Sequence, residues 1–246
     1  MTRPATYGAA FADVYDEWYS DTDDIASVVA LLAEHSPRHV LELGVGTGRI
    51  AVPLAQHLAR HDTAASVTGI DESPEMLARL ALNDRDALVR AVCGDMVDDQ
   101  PRGPFDLVFV SYNTLFNVTE RARQQRCIEN VAARLAAGGR FVIDACIVDE
   151  AAPRHSAHTQ RRGAWSLRTE THFDAATGII AGTTTSTHDD GRCVRRPFRV
   201  AYLTPTTLDE VCASAGLGLA QRHGSWQKTA CTADSARHVS VYRNLR

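Results

Sequence analysis

The sequence predicts a doubly wound α/β fold carrying an antiparallel β insertion, and three observations predict it. Short apolar runs alternate with helix-period segments through residues 36–150. The first run, "HVLEL" at 39–43, leads into a turn holding Gly44, Gly46 and Gly48, the usual hand-over from strand to helix above a nucleotide-like ligand. Near residue 150 the texture changes to alternating apolar and polar residues punctuated by "DAATG" and "DDG" turns, and helical spacing returns near residue 203.

The elements follow in order. Ile25, Val28, Val29 and Leu32 share one helix face, and Asp23 and Asp24 suit its positive N-terminal end. "HVLEL", "SVTGI", "LVRAV", "FDLVFV" and "RFVIDA" are nearly continuous apolar runs, as strands buried on both faces of a parallel sheet require. Ser73 and Pro74 mark a helix start as N-cap and first helical residue. A helix from about Thr119 places Ile128, Val131 and Leu135 on one face and stops at Gly138–Gly139. Three antiparallel strands are expected between about 164 and 202, with His155 and His158 in a loop before them. Thr204 then caps a helix bearing Leu208, Val211, Cys212 and Ala215, which Gly216 closes before two final strands, "LGLAQRHG" and "RHVSVYR". The 246 residues therefore read as one domain: an N-terminal cap segment over 1–35, a core over 36–150 and 203–246, and a β-rich insertion over 151–202.

Composition narrows the function. A net charge of −4 leaves no electrostatic footprint for nucleic acid. Arg154, Arg161, Arg162, Arg168, Arg192, Arg195, Arg196 and Arg199 form a local exception. They read as a solvated face, because Lys228 is the only lysine and arginine serves as the general cation. No apolar run reaches membrane-span length and "MTRPATYGAA" lacks an apolar signal core, so a cytoplasmic protein without a membrane partner is expected. The six cysteines are scattered, and the pairs His57/His61 and His155/His158 lack a further ligand, so no metal is expected.

The glycine turn selects its ligand. Gly44, Gly46 and Gly48 spell G-x-G-x-G, whereas a dinucleotide turn places its third glycine one residue later, and no G-K-[ST] follows for a P-loop. Glu42, two residues ahead of the turn, repels a pyrophosphate and welcomes a cation. Asp71 ends the second strand, where it can accept from both ribose hydroxyls. Asp95 follows the third strand, placed to accept from an adenine amino group while Met96 packs on the base. Together they describe S-adenosylmethionine, whose amino group and sulfonium are cationic.

On Glu42–Gly48, Asp71, "GDM" at 94–96, "FDLVFVSYNTLFN" at 105–117 and "LAAGGRFVID" at 135–144, the chain resembles the class I S-adenosylmethionine-dependent methyltransferases. The resemblance implies a Rossmann-like methyltransferase sheet with the insertion over the active site, and S-adenosylhomocysteine as the product. "FADVYDEWY" resembles the N-terminal segment of small-molecule members, including those that N-methylate aminosugars; it implies that Tyr15 and Tyr19 lie over the cofactor, a cation–π arrangement. Glu72, Met76 and Ser111 complete the implied cofactor set. The fourth strand's exit reads "SYNT", not the D/N-P-P-[YF] of DNA amine methyltransferases, and offers no carboxylate for a magnesium-dependent reaction before Glu120.

Topology places the acceptor beyond the carboxyl ends of the strands, nominating Tyr112, Asn113, Phe116, Tyr202 and Trp226 as pocket residues. Asn117 stands where aminosugar members often carry histidine, leaving His223 as the candidate base. The expected activity is methyl transfer to N or O of a small molecule, with natural-product metabolism as one setting and a homodimer as one assembly. The alternative is a non-catalytic or regulatory S-adenosylmethionine-binding protein.

Overall fold

The structure, a computed structural model, describes residues 8, 11–19, 24–149 and 154–246. Helices α1 (Tyr15–Tyr19) and α2 (Ile25–Ala33) precede β1 (His39–Leu43), α3 (Ala51–His61), β2 (Ser66–Asp71), α4 (Pro74–Asn83) and β3 (Val89–Cys93). There follow β4 (Phe105–Val110), a 3-10 turn (Thr114–Asn117), α5 (Arg121–Arg134) and β5 (Leu135–Cys146). The strands β6 (His155–Arg162), β7 (Trp165–Asp174), β8 (Ile179–His188) and β9 (Cys193–Ala201) come next. The chain closes with α6 (Pro205–Ser214), β10 (Leu217–His223) and β11 (Arg237–Asn244).

The strands form a seven-stranded sheet, in the order β10-β11-β5-β4-β1-β2-β3, and a four-stranded sheet, β6-β7-β8-β9. Along β1, β4 and β5 successive side chains face opposite layers. Val40, Leu107, Phe109 and Val142 pack beneath α2, α3 and α4, while Leu41, Leu43, Val108, Val110, Phe141 and Ile143 pack beneath α5 and α6. Each such side chain contributes about 1.5–3 kcal/mol by leaving water, which explains why these runs are continuously apolar. From β1 the chain winds out to β2 and β3, then crosses back to β4 on the other side of β1. That reversal opens a crevice at the carboxyl ends of β1 and β4.

The cap signals hold. Asp24 caps α2, accepting from Ala26 N at 3.2 Å, while Asp23 lies outside the described residues. Ser73 and Thr204 cap α4 and α6, each followed by proline. The structure corrects two expectations and adds the direction of the last strand. The helix expected from about Thr119 to a stop at Gly138–Gly139 spans Arg121–Arg134, because Leu135 already pairs with Phe105 in the sheet. The last strand, β11, lies antiparallel to both neighbours, because no helix separates it from β10 to carry the chain back. The segment of His155 and His158, expected as a loop, is the strand β6. Its sequence "HSAHTQRR" gives no apolar alternation, since it is an exposed edge held by its register with β7.

The N-terminal segment bridges the two sheets. Phe11, Ala12, Val14 and Trp18 form a buried cluster with Met76 of α4 and Leu167 of β7. Among the described residues no helix is long and apolar enough to cross a membrane.

Candidate active site

The glycine turn sits at the crevice. Gly44 and Val45 donate their N–H groups to the Ile70 carbonyl at 2.8 and 3.0 Å, fastening the turn to β2. All three glycines have positive φ, +69°, +57° and +81°. Two of them also face protein: a Cβ on Gly44 would collide with Thr114, and one on Gly48 with Leu80 of α4. Above Gly46 there is open space. Gly48 is thus the glycine that lets a helix approach, and Gly46 is the one that faces open space.

Glu42 lies on β1 beneath this turn, only 3% exposed, with its Oε2 lacking any hydrogen-bond partner. Burial pushes its carboxyl well above the ordinary range; the Arg49 charge and the Ala51 N–H pull it down, and Asp71 pushes it further up. An orphaned buried acceptor next to an open glycine fits a cationic ligand. Asp71 ends β2 and accepts from Gly46 N and Ser73 N, both at 2.9 Å. Burial raises its carboxyl, partly countered by these two N–H groups. It therefore shapes the turn, and its remaining lone pairs stay available to a diol. Glu72 beside it is exposed.

Asp95 follows β3, half-buried, accepting from Val97 N at 2.7 Å and pairing with Arg123 at 2.6 Å. Burial raises its carboxyl, but the Val97 N–H and Arg123 outweigh this and leave it below the usual value. Met96 is half-buried against the core beside it.

The exit of β4 is a tightly held turn. Ser111 is buried, and Tyr112 and Asn113 both adopt left-handed conformations, φ +52° and +64°. Consecutive non-glycine residues in that region cost on the order of 1–2 kcal/mol each. Asp144 of β5, 2% exposed, holds them: its Oδ2 accepts from Tyr112 N at 2.9 Å and its carbonyl from Asn113 N at 3.2 Å. Arg237 of β11 clasps the same carboxylate with two bonds of 2.6 Å. The Arg49 guanidinium lies 5.7 Å from the Tyr112 ring centroid. Neither Asp144 nor Arg237 carries a sequence signal, because their pairing is made only by the neighbouring register of β5 and β11.

Several expected positions are corrected. Asn113 spends its Oδ1 on Cys146 N at 2.7 Å, which makes it a turn residue. Phe116 and Tyr202 are 0% and 4% exposed and meet edge to face, 5.7 Å between centroids, with the Tyr202 hydroxyl accepting from Val148 N. They are core behind the crevice. Met76, 2% exposed, packs in the cluster under the N-terminal segment. Trp226 is buried with α2 and Val239. His223 ends β10, four strands from β1, or about 19 Å at roughly 4.8 Å per strand; its Nε2 lies 3.4 Å from Gln221. The structure therefore does not bring it beside the glycine turn. Asn117 ends the 3-10 turn, half-buried.

Tyr15 is half-buried on α1, and the side chain of Tyr19 lies outside the described residues. Helix α1 reaches the glycine turn through Asp16, which accepts from Thr47 Oγ1 at 2.5 Å and from Asn83 at 3.2 Å. Thr47 is fully buried.

Comparison with known proteins agrees with this geometry. A methyltransferase domain model matches residues 40–139. The CcbJ methyltransferase from Streptomyces caelestis superimposes with a TM-score of 0.88 at 30% identity, covering 100% of both chains. CalS10 from Micromonospora echinaspora, an amino pentose methyltransferase of calicheamicin biosynthesis solved with its cofactor, shares the fold at a TM-score of 0.68 and 18% identity, covering 99% and 100% of the chains. The cypemycin N-terminal methyltransferase from a Streptomyces species is 33% identical over 147 residues, 58% of each chain. The chain spans about half the length of the curated relatives it matches. Likeness to CcbJ over the full length of both chains, with the glycine turn and Glu42 lying inside the matched domain, places the chain in the class I S-adenosylmethionine-dependent methyltransferases.

Proposed function

We propose that the protein transfers a methyl group from S-adenosylmethionine to a neutral nitrogen of a small molecule in specialised metabolism. The observation that carries this reading is Glu42, a buried carboxyl with an unpaired oxygen beneath an open glycine turn. When bound, the cofactor supplies a methyl group already activated by its sulfonium. The protein has then to align, desolvate and, for a hydroxyl acceptor, deprotonate. Glu42 would receive the cationic amino-acid end, Asp71 the ribose, and Asp95 with Met96 the adenine. Tyr15 would lie over the sulfonium.

Nitrogen is favoured because the β4 exit, "SYNTLFNVT" at 111–119, holds no histidine or carboxylate, and a neutral amine needs none. CalS10, named for calicheamicin biosynthesis, and the cypemycin enzyme support the natural-product setting, and their names give amino-pentose and N-terminal methylation. In this reading 151–202 is an insertion into one domain, and its strands β6–β9 form the sheet that meets the N-terminal segment beside the crevice.

Calorimetry with S-adenosylhomocysteine and NAD(P) comes first, then methyl-labelled cofactor with panels of primary amines, aminosugars and phenols, read by mass spectrometry. Homocysteine-nucleoside binding and label on nitrogen are expected. Binding of NAD(P) instead sinks the cofactor assignment, and label confined to phenol oxygen overturns the choice of nitrogen.

A further inference from the structure

Arg196 belongs to the second sheet, on β9 opposite Thr184 of β8. It is an unusual place for a charge: the residue is 5% exposed. Its guanidinium donates to Ser186 Oγ at 2.9 Å on its own sheet and to Asp13 Oδ2 at 2.8 Å on the N-terminal segment. It also lies 5.1 Å from the Trp18 ring centroid and 5.9 Å from that of Phe11, two rings that meet edge to face at 6.3 Å. One buried cation thus grips the segment before α1 and α1 itself, through a charged bond and two aromatic faces.

The other end of the same segment is fastened to the glycine turn. Asp16 takes Thr47 Oγ1 and Asn83 Nδ2, and Asn83 also donates to the Thr47 carbonyl at 3.0 Å. Thr47 stands between Gly46, which faces the open space, and Gly48, which faces α4. The second sheet is therefore connected to the cofactor turn by a short chain: Ser186, Arg196, Asp13 and Trp18, α1, Asp16, Thr47. Burying an arginine with a partner as exposed as Asp13 is a poor route to stability. Its directional bonds instead fix where α1 sits.

We propose that Arg196 is a positioning residue that holds α1 over the glycine turn and so retards release of the bound nucleoside. This rests on the cofactor reading above and adds a specific residue, outside the α/β core, that controls cofactor residence.

The test is stopped-flow dissociation of S-adenosylhomocysteine from the full chain, for the wild type, Arg196→Met, Asp13→Asn and the double variant, with thermal unfolding alongside. Methionine fills the site without its charge, and Asp13 is exposed enough that its replacement folds. Loss of a charge-assisted bond of about 1.5–3 kcal/mol corresponds to roughly 10- to 100-fold, and exposure of Asp13 places the expectation for Arg196→Met near tenfold faster release. Asp13→Asn should release a few-fold faster, and the double variant no faster than Arg196→Met, since Asp13 acts through Arg196. Melting temperatures of Asp13→Asn and the wild type should agree closely. An unchanged release rate in Arg196→Met, or additive effects of the two substitutions, overturns the proposal. Failure of the wild type to bind S-adenosylhomocysteine is a different result, which overturns the cofactor reading and this inference with it.

Discussion

Glu42 is a buried carboxyl whose ionisation works against folding. Its carboxyl is held well above the ordinary range by burial, so in the unliganded protein its ionisation is unfavourable. The sign follows from linkage. A raised carboxyl contributes stability below its unfolded value of about 4.3, and this is lost as pH rises through the folded value. Glu42→Gln should therefore raise the melting temperature of the unliganded protein at pH 8, with the gain shrinking toward pH 4. The same variant should bind S-adenosylmethionine at least tenfold more weakly, as titration calorimetry would read, because the cation loses its counter-charge. A variant that is neither more stable nor weaker in binding would remove Glu42 from both roles. Asp71 separates differently. Asp71→Asn keeps an acceptor for Gly46 N and Asp71→Ala does not. The alanine variant should lose the larger share of cofactor affinity, with the asparagine variant between it and the wild type.

At the scale of elements, the turn after β4 exists because β5 and β11 hold it. Tyr112 and Asn113 are both left-handed without being glycine, and Asp144 with Arg237 supplies the bonds that keep them there. Removing one partner of a buried pair costs about 3–5 kcal/mol, and the partial exposure of Arg237 places Asp144→Ala near the lower end. Urea unfolding at pH 7 measures this, and a loss under 1 kcal/mol would mean that the turn holds itself. The motif "SYN" was legible as the exit of a strand, and the glycine turn, Asp71 and Asp95 were legible as residues at the carboxyl ends of the strands by order and spacing. The clamp was not, since Asp144 and Arg237 stand far apart in sequence and become neighbours only through strand register. The placement of Asn113, Phe116 and Tyr202 was illegible for the same reason: a polar or aromatic residue near a strand end looks alike whether it faces the crevice or the core behind it.

For the whole molecule, a buried polar network beneath α6 sets the acid limit. His238 is fully buried, its Nδ1 2.8 Å from Ser240 Oγ, and burial pushes it down to about 4, with Arg222 and Arg237 adding to the effect and Asp209 opposing it. A depressed histidine contributes stability that is present above its unfolded value and lost as pH falls toward the folded one. Stability should therefore drop between about pH 6.5 and 4, by up to roughly 3 kcal/mol from this group. Urea midpoints at pH 7 and 4.5 should show that slope in the wild type and a flatter one in His238→Gln; equal slopes would assign the acid loss elsewhere.

The sequence by itself determined the α/β core, the helix caps, the glycine turn and the acids placed at the strand ends around it. Each of these rests on local chemistry: periodicity, a capping oxygen, a positive φ, a carboxylate at a strand end. Only the tertiary structure decided that β6 is a strand, that His223 lies at the far edge of the sheet, that Asp144 and Arg237 hold the β4 exit, and that Arg196 ties the second sheet to α1. Those depend on which segments far apart in sequence become neighbours, and contacts between such segments are fixed by the packing of the whole sheet rather than by the residues on either side of them.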